Sequence, residues 1–426
     1  MSDFSPSVIY ARLRQIGGFL RTVGAVSSPR PHARGLSLLL ASGVAVPVLL
    51  LTQSPATPAS TAAADQVSTV PSARTEPTPP APTCTPAPLE QRAGAVLIVG
   101  MPGVTSADDK LAREVIDVGV GGVFLAQGSI RTAKQVTALT AGLRARAGRP
   151  LLVSTDEESG RVATTRAVLG SGPSPRRLAQ RRTPAEVRTF AADLATRMKE
   201  LGIDLDLAPV IDLDDGPAKG VVGDRSFSAQ AEIASEFGRA FAEGLADGGV
   251  TPTVKHFPGQ GRSPGDTHTG RATVDADLGQ LQVSDLSPFQ RLIDAGAPVV
   301  MLNHLDYTAL DPDLPASLSP AAYGLLRSMG FRGVAMTDSL GMGAVNLRWD
   351  FPEAAVRAIT AGADAALATD GNQARRMRDA LVAAVQSGAL PEARLNEAAA
   401  RVAALAGADP MALACTAAEK VPFPSA

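Results

Sequence analysis

Residues 185–210 join an amphipathic segment, AEVRTFAADLATRMKELG, directly to a short apolar run, IDLDLAPV. Residues 230–257 repeat this order, because QAEIASEFGRAFAEGLADGG is followed by VTPTVKHF. In the second amphipathic segment, large apolar side chains recur every four residues and indicate one buried helix face: Ile233, Phe237, Phe241 and Leu245. A helix followed by a buried strand, twice in succession, is typical of parallel α/β folds.

Apolar runs of about six to eight residues recur on both sides of this stretch. They are AVLIVG (95–100), GGVFLA (121–126), PLLVST (150–155), IDLDLAPV (203–210), VTPTVKHF (250–257), PVVMLNH (298–304), GVAMTD (333–338) and ADAALA (363–368). Eight strand–helix repeats, roughly 25 to 55 residues apart, predict an α/β fold of the (β/α)8 TIM-like barrel class rather than a doubly wound sheet. We therefore expect a single catalytic domain over residues 89–408 and a C-terminal tail over 409–426.

The composition excludes some classes of function. The 426 residues carry 40 basic and 42 acidic side chains, and the formal net charge is −2. A balanced charge gives no electrostatic footprint for nucleic acid. The content of 45% hydrophobic and 19% charged residues indicates a globular protein.

The N-terminus reads as a targeting region rather than as part of the domain. Residues 1–35 form a basic segment, and residues 36–51, LSLLLASGVAVPVLLL, carry no charge. This run is a signal-peptide core or a retained signal anchor, and the alternative is a buried core helix. Basic residues before the run predict that the chain after residue 51 is exported, to the extracellular space or the cell envelope. Residues 52–88, rich in Pro, Thr, Ala and Ser, are predicted to be a linker.

Two cysteines lie at the margins of the predicted domain, Cys84 and Cys415. A closed barrel brings its ends together, and an exported protein meets an oxidising compartment. We therefore expect a Cys84–Cys415 disulfide, with two free thiols as the alternative.

Polar side chains follow four of the apolar runs, where barrel enzymes place their active sites. They are Asp156, Glu157 and Glu158 after the third run, Lys255 and His256 in the fifth, Asn303 and His304 in the sixth, and Thr337 and Asp338 in the seventh. Each alone could be a capping or surface residue, but together they predict a site at this rim. His304 is as consistent with a hydrogen-bonded structural histidine as with a site-lining one, so it stays outside the predicted catalytic set.

The segment KHFPGQGRSPGDTHTG, residues 255–270, predicts a long glycine-rich loop over the barrel mouth. Asp266 and His268 are one residue apart on it, so the carboxylate can bond and orient the imidazole. Such a pair suits a proton donor near neutral pH. The alternative is a solvated loop with a chance Asp-x-His.

This segment resembles the signature of the β-N-acetylglucosaminidases of glycoside hydrolase family 3. Other segments resemble the family in the same order: TDEESGRV (155–162), LDLAPVIDL (205–213), VVGDRSFS (221–228) and AMTDSLGMGAV (335–345). The resemblance covers residues 89 to about 405 and implies an exported bacterial form of the single-domain type. Carried over by position, it implies Asp338 as nucleophile, His268 as general acid/base and Asp266 as its partner. It also implies four sugar-binding residues, Asp156, Arg225, Lys255 and His256, and no metal or cofactor.

The chain departs from the family pattern at several positions. Gln260 stands where His is frequent, Thr267 where Ser is common, and Glu157 and Ser159 replace Gln or His and Gly. Thr164 stands where the family has an arginine that contacts substrate. The nucleophile and the Asp–His pair are retained.

The resemblance and the expected export together imply a retaining glycosidase that releases terminal β-linked N-acetylglucosamine from peptidoglycan-type wall glycans through a covalent glycosyl-enzyme intermediate. Three alternatives stay open at this point. One is an N-acetylglucosaminide phosphorylase using the same site, because an imidazole would not repel phosphate. Another is a metal-dependent barrel hydrolase with His256, His268 and His304 as ligands, and the third is a non-catalytic wall-glycan-binding barrel. We expect a monomer that acts on a small carbohydrate or muropeptide, has no nucleic-acid partner, and meets a membrane only through an uncleaved N-terminal segment.

Overall fold

The computed structural model describes residues 84–421 and 423. The predicted basic segment (1–35), the uncharged run (36–51) and linker residues 52–83 lie outside the described residues. Within the described part of the chain, no helix is long and apolar enough to cross a membrane.

Eight parallel strands form the central sheet. They are β1 (Leu97–Gly100), β2 (Gly122–Phe124), β3 (Leu152–Thr155), β4 (Leu205–Asp206), β5 (Thr251–Phe257), β6 (Val299–Leu302), β7 (Val334–Thr337) and β8 (Ala366–Ala368). Each lies inside one of the eight predicted runs. Neighbours in the sheet follow the order β7-β6-β5-β4-β3-β2-β1-β8. Pairing of β8 with β1 places the last strand beside the first, so the sheet curls into a ring.

The ring nearly closes between β7 and β8. Met336 forms a single parallel bridge with Ala365. The N–H of Thr337 donates to the Ala365 carbonyl at 3.1 Å, and the N–H of Leu340 donates to the Leu367 carbonyl at 2.9 Å. These contacts confirm the predicted α/β TIM-like barrel.

The fourth strand is shorter than its apolar run, 203–210. Only Leu205–Asp206 form ladder pairs, and Leu207 and Ile211 then donate singly to the carbonyls of Thr155 and Lys255. Pro209 explains the early end, because proline has no N–H to donate to the ladder.

Fifteen α-helices surround the strands in the described part of the chain. They are α1 (Leu89–Ala95), α2 (Lys110–Val118), α3 (Ala133–Ala147), α4 (Arg166–Leu169), α5 (Pro175–Arg181), α6 (Pro184–Glu200), α7 (Ala231–Asp247), α8 (Leu278–Val283), α9 (Leu286–Asp294), α10 (Pro320–Ser328), α11 (Gly343–Asn346), α12 (Phe351–Ala361), α13 (Ala374–Gln386), α14 (Glu392–Ala406) and α15 (Pro410–Ala414). Helix α6 begins with a capping box, in which Thr183 and Glu186 each bond the other's backbone N–H. On α7, Phe237, Phe241 and Leu245 are buried, as their spacing predicts.

Alternation along the strands divides the core into two clusters. In β1, Ile98 joins an inner cluster, whereas Leu97 and Val99 pack outward among the helices. The inner cluster also contains Phe124, Leu152, Leu205, Leu207, Met301, Met336 and Leu367. Side chains therefore fill the barrel interior, as the period of two in a strand requires.

The two ends of the described chain are joined. Cys84 and Cys415 form a disulfide with their Cα atoms 5.7 Å apart, which confirms the expected pairing. The N–H of Ala87 donates to the Leu413 carbonyl at 3.0 Å beside it. Buried Arg92 fastens α1 to α14, because its guanidinium contacts Glu392 at 2.6 Å.

Candidate active site

A cavity of about 630 Å³ lies at the C-terminal ends of the strands. Four of its apolar lining residues belong to the inner cluster: Phe124, Leu207, Met301 and Leu367. All seven predicted site residues line the same cavity: Asp156, Arg225, Lys255, His256, Asp266, His268 and Asp338. The structure therefore brings together groups from several strand ends, from the loop after β5 and, for Arg225, from the segment that follows β4.

Asp338 directly follows β7. Its backbone N–H donates to the Leu302 carbonyl at 2.9 Å, which continues the ladder with β6 and fixes the residue at the rim. Its Oδ1 accepts a hydrogen bond from the Ser339 N–H at 2.7 Å. Burial alone would raise the pKa of Asp338, but the neighbouring His304 and His256 side chains, the Ser339 N–H and Lys255 together hold it below its ordinary value. The carboxyl group is therefore ionised at neutral pH.

The loop after β5 carries the Asp266–His268 pair. His268 Nδ1 and Asp266 Oδ1 are 2.7 Å apart, and the His268 backbone N–H donates to the same oxygen at 3.0 Å. A carboxylate can only accept, so Nδ1 carries the proton and Nε2 is the nitrogen left for acid–base chemistry. The backbone hydrogen bond from His268 is the main cause that lowers the pKa of Asp266. The His268 side chain is 65% exposed, so solvent reaches it.

The same loop is fastened to the segment after Asp338. The N–H groups of Gly343 and Ala344 donate to the carbonyls of His268 and Thr267, each at 3.0 Å. A Cβ on Gly343 would lie 2.8 Å from the His268 carbonyl oxygen. Glycine at 343 is therefore what allows the loop to rest on the start of α11.

A cluster of opposite charges forms one wall of the cavity. Lys255, 3% exposed, contacts Asp156 Oδ1 at 2.6 Å and Glu158 Oε1 at 2.7 Å. Arg225 binds both oxygens of Glu158, at 2.6 and 2.7 Å. Burial raises the pKa of Glu158, but Arg225 and Lys255 outweigh it, and the net pKa is well below the ordinary value. Glu158 is therefore a carboxylate at neutral pH, bound to two cations.

His256 is held between a carboxylate and a guanidinium. Its Nδ1 lies 2.6 Å from Asp212 Oδ2, and its Nε2 lies 3.2 Å from Arg225 Nη2. Because a guanidinium can only donate, Nε2 accepts and Nδ1 carries the proton. Asp212 Oδ1 also accepts from the backbone N–H groups of His256 and Gln260. This carboxylate therefore shapes the turn that follows β5.

The sequence places Glu158 at the predicted rim without assigning it a role, and it gives no role to Asp212. Both lie in motifs of the family resemblance, TDEESGRV and LDLAPVIDL, and both are buried. For Asp212 the signal is an acidic residue within an apolar segment, which must find a partner when buried, whereas the polar segment around Glu158 gives no such signal. The sequence does not identify those partners as Arg225 and His256.

The departures from the family pattern have local explanations. Glu157 is buried, and its Oε2 accepts from the Thr165 N–H at 2.9 Å and hydroxyl at 2.6 Å. Burial is the main cause that raises the pKa of Glu157 to about 6. Ser159 has φ of 68°, the left-handed region that favours glycine. Thr164 does not line the cavity, whereas Arg161 and Lys219 supply positive charge at its edge.

The donor set does not fit the metal-dependent alternative. Both ring nitrogens of His256 are hydrogen-bonded within the protein, and so are both of His304. Within the described ranges, no three His, Cys, Asp or Glu side chains are grouped so that they could hold a metal ion.

Comparison with known proteins agrees with this geometry. Residues 89–405 match the family described as "Glycosyl hydrolase family 3 N terminal domain". The chain is 38% identical over 334 residues to "Beta-hexosaminidase LpqI" of Mycobacterium tuberculosis, an alignment that covers 73% of this chain and 85% of that protein.

Solved structures extend the comparison. A glycosyl hydrolase family 3 member from Mycobacterium smegmatis is 40% identical with a TM-score of 0.70, and the match covers 75% of this chain and 97% of that one. The M. tuberculosis LpqI structure gives 38% identity and a TM-score of 0.71, with coverage of 77% and 98%. A family 3 β-N-acetylglucosaminidase from Paenibacillus is 32% identical with a TM-score of 0.73, and the match covers 78% of this chain and 64% of that one. None of these relatives supports the phosphorylase alternative.

Proposed function

The chain belongs to glycosyl hydrolase family 3 and is a β-N-acetylhexosaminidase, and from this premise we propose that it is a retaining enzyme with Asp338 as nucleophile and His268 as general acid/base. The observation that carries the proposal is that Asp338 and His268 line one cavity. Asp338 is fixed by the β-ladder, and His268 stands on a loop that solvent and substrate can reach.

In the first step, Asp338 attacks the anomeric carbon and forms a covalent bond while the bond from that carbon to the leaving oxygen breaks. His268 gives its Nε2 proton to the leaving oxygen. The positive charge that His268 carries when protonated is stabilised by Asp266, whose Oδ1 binds Nδ1. In the second step, neutral His268 takes a proton from water, and the water oxygen displaces Asp338 with net retention.

The charge cluster is proposed to bind the sugar. Asp156 offers carboxylate oxygens to hydroxyl groups, and Lys255, Arg225 and His256 offer donors or acceptors beside it. Glu158 and Asp212 hold these groups in place from behind. Because the cations are already paired, the wall presents fixed dipoles to a neutral sugar without leaving an unpaired charge buried.

The substrate is proposed to be a peptidoglycan-type wall glycan or muropeptide with a terminal β-linked N-acetylglucosamine. Support comes from the hexosaminidase relatives and from the basic and uncharged segments at residues 1–51, which predict export. We propose that the enzyme acts as a monomer in the cell envelope or outside the cell.

The test compares a chromogenic N-acetyl-β-glucosaminide with the matching β-glucoside. We expect turnover of the first alone, loss of turnover in Asp338→Ala, and a large loss in His268→Ala. Asp294→Asn is the matched control, because the Asp294 side chain bonds Gln290 on α9 and lies outside the cavity.

Two product measurements test the mechanism itself. A slow 2-fluoro glycoside should add one sugar mass to the peptide that carries Asp338. An initial product of inverted configuration would contradict the retaining mechanism, and sugar 1-phosphate formed in phosphate buffer would contradict hydrolysis.

A further inference from the structure

We propose that His304 is a positioning residue for Asp338. It holds the peptide after Ser339 so that the Ser339 N–H binds one oxygen of the Asp338 carboxylate and leaves the other for the anomeric carbon. This inference rests on the proposed function, because it takes Asp338 as the nucleophile.

His304 lies behind the wall of the cavity. It is 1% exposed and does not line the cavity. Its Nε2 is 2.8 Å from the carbonyl oxygen of Ser339, the residue next to Asp338. A carbonyl oxygen can only accept, so Nε2 carries a proton and donates it. His304 thus contacts the nucleophile's neighbour without contacting the place where a sugar would bind.

The partner of the second ring nitrogen is compatible with the tautomer that the Ser339 carbonyl requires. His304 Nδ1 is 2.6 Å from the hydroxyl oxygen of Ser317, which is fully buried. Burial is the main cause that lowers the pKa of His304, so the ring is neutral at physiological pH and carries one proton. With that proton on Nε2, Nδ1 accepts from the Ser317 hydroxyl. In the other tautomer, lone pairs of Nε2 and the Ser339 carbonyl would face each other.

Ser339 is held from three directions. His304 binds its carbonyl oxygen, and the N–H of the same peptide unit, that of Leu340, donates to the Leu367 carbonyl at 2.9 Å. The Ser339 hydroxyl is 3.1 Å from the hydroxyl of Thr369 on the segment after β8. The orientation of the Ser339 backbone is therefore set by β6, β7 and β8 together.

This orientation reaches the carboxylate through one hydrogen bond. The Ser339 N–H donates to Asp338 Oδ1 at 2.7 Å, and among the described residues Oδ2 accepts no hydrogen bond. One oxygen of the Asp338 carboxylate is therefore fixed by a hydrogen bond, and the other stays available to the substrate. Removing the His304 N–H would let the 339–340 peptide rotate and would misalign the Ser339 N–H, and misplacement of a reacting group by about 1 Å can cost about 100-fold in rate.

The experiment compares two substitutions at His304. His304→Gln keeps an N–H near the position of Nε2, whereas His304→Asn keeps one only near Nδ1. We expect His304→Asn to lower kcat on the chromogenic N-acetyl-β-glucosaminide by about 10- to 100-fold, with little change in KM. His304→Gln should recover part of this loss. Equal kcat in both variants would overturn the proposal.

Two milder substitutions separate positioning from folding. Ser317→Ala removes the hydroxyl that donates to His304 Nδ1 and helps to orient the ring, and it should lower kcat in the same direction by a smaller factor. Ser319→Ala is the matched control, because Ser319 is equally buried in the same turn but caps α10 instead of touching His304. It should lower the melting temperature without changing kcat. An equal kcat loss in Ser319→Ala would show a merely structural effect and overturn the proposal.

The pH dependence of kcat/KM provides a further test, because a purely structural role of His304 would not change the position of its acid limb. The groups that lower the pKa of Asp338 are His304, His256, the Ser339 N–H and Lys255. If the Ser339 N–H is misaligned in His304→Asn, the acid limb of kcat/KM should move up toward the ordinary aspartate value of about 3.9. Both variants lose the imidazole ring, but His304→Gln keeps an N–H near the position of Nε2, so its acid limb should move less.

The outcomes separate this inference from the proposed function. An acid limb in His304→Asn that matches that of His304→Gln would count against the positioning role. Should Asp338→Ala keep full turnover, the proposed function itself would fail. Loss in Asp338→Ala with none in His304→Asn would overturn only the role of His304.

Discussion

The backbone N–H of Gly343 donates to the carbonyl oxygen of His268 at 3.0 Å. His268 belongs to the loop after β5, and Gly343 begins the helix that follows Asp338. One backbone hydrogen bond thus links the proposed proton donor to the segment that carries the proposed nucleophile. The distance between the two groups is set by main-chain atoms and not by side chains alone.

Gly343→Ala should weaken the hydrogen bond between residue 343 and the His268 carbonyl. Its Cβ would lie 2.8 Å from the His268 carbonyl oxygen, so the loop must shift. We expect kcat to fall by about 10- to 100-fold, because the acid/base group moves relative to Asp338. Steady-state kinetics measure this. Gly324→Ala in α10 is the control, since a Cβ there meets nothing within 4 Å and should stabilise the helix by up to about 1 kcal/mol. Unchanged kcat in Gly343→Ala would show that the loop contact has no catalytic role.

Glu158→Ala should destabilise the fold as well as weaken sugar binding. Lys255 keeps Asp156 as a partner, but the largely buried Arg225 loses the carboxylate with which it is paired, which costs about 3–5 kcal/mol. Urea unfolding at pH 7 measures the loss. Glu353→Ala, which breaks an exposed pair with Arg357, should cost less than about 1 kcal/mol.

The effect of Glu158 should also depend on pH. Its folded pKa is lowered, so its contribution is present above the unfolded pKa and is lost as pH falls through the folded one. The gap in unfolding free energy between wild type and Glu158→Ala should therefore narrow in acid. A gap that widens in acid would contradict the assignment.

Glu157 should make the protein less stable as pH rises. Its pKa is raised from 4.5 to about 6, so between these values the folded protein holds a proton that the unfolded chain releases. The contribution of Glu157 is then greatest below pH 4.5, falls by about 2 kcal/mol as pH rises to 6, and stays level above it. Glu157→Gln keeps an acceptor for Thr165 and should remove this decline, as measured by urea unfolding across that range. Glu114→Gln replaces an exposed side chain and should leave the decline in unfolding free energy unchanged.

Loss of the disulfide should lower stability without lowering activity. Cys84 and Cys415 close a loop with a sequence separation of 331 residues, and neither lines the cavity. The Cys84→Ser, Cys415→Ser double variant should lose about 2–4 kcal/mol of unfolding free energy and keep its kcat. The reduced wild-type protein should have the same melting temperature as this double variant. Equal melting temperatures of oxidised and reduced wild type would contradict a stabilising role.

Buried strands are predictable from this sequence because a parallel sheet covered on both faces leaves long apolar runs. All eight are confirmed, and the largest difference lies at the end of β4, where Pro209 interrupts the ladder inside an apolar run. Residues facing the cavity are predictable because rim positions of several strands carry polar groups. The residues that hold these cavity-facing groups in place are not predictable from the sequence. The pairing of Glu158 with Arg225 joins residues 67 positions apart, and no local pattern encodes it.

His304 is a second residue whose role depends on contacts with residues distant in the sequence. Its place at the end of β6 is clear from the sequence, but its role depends on Ser317 and Ser339, which reach it from 13 and 35 residues away. Only the fold determines which nitrogen carries the proton. Chemistry that depends on a tautomer is therefore invisible to sequence reasoning until the hydrogen-bond partners are known.

The wide exposure of the His268 ring has a consequence for the order of events in a catalytic turn. If His268 is the proton donor, as we propose, the empty enzyme leaves that donor open to water, where charge is screened. We expect a glycan bound in the cavity to cover the ring with its own leaving unit. A bulky aglycone should then exclude more water from His268 than a small aryl group does.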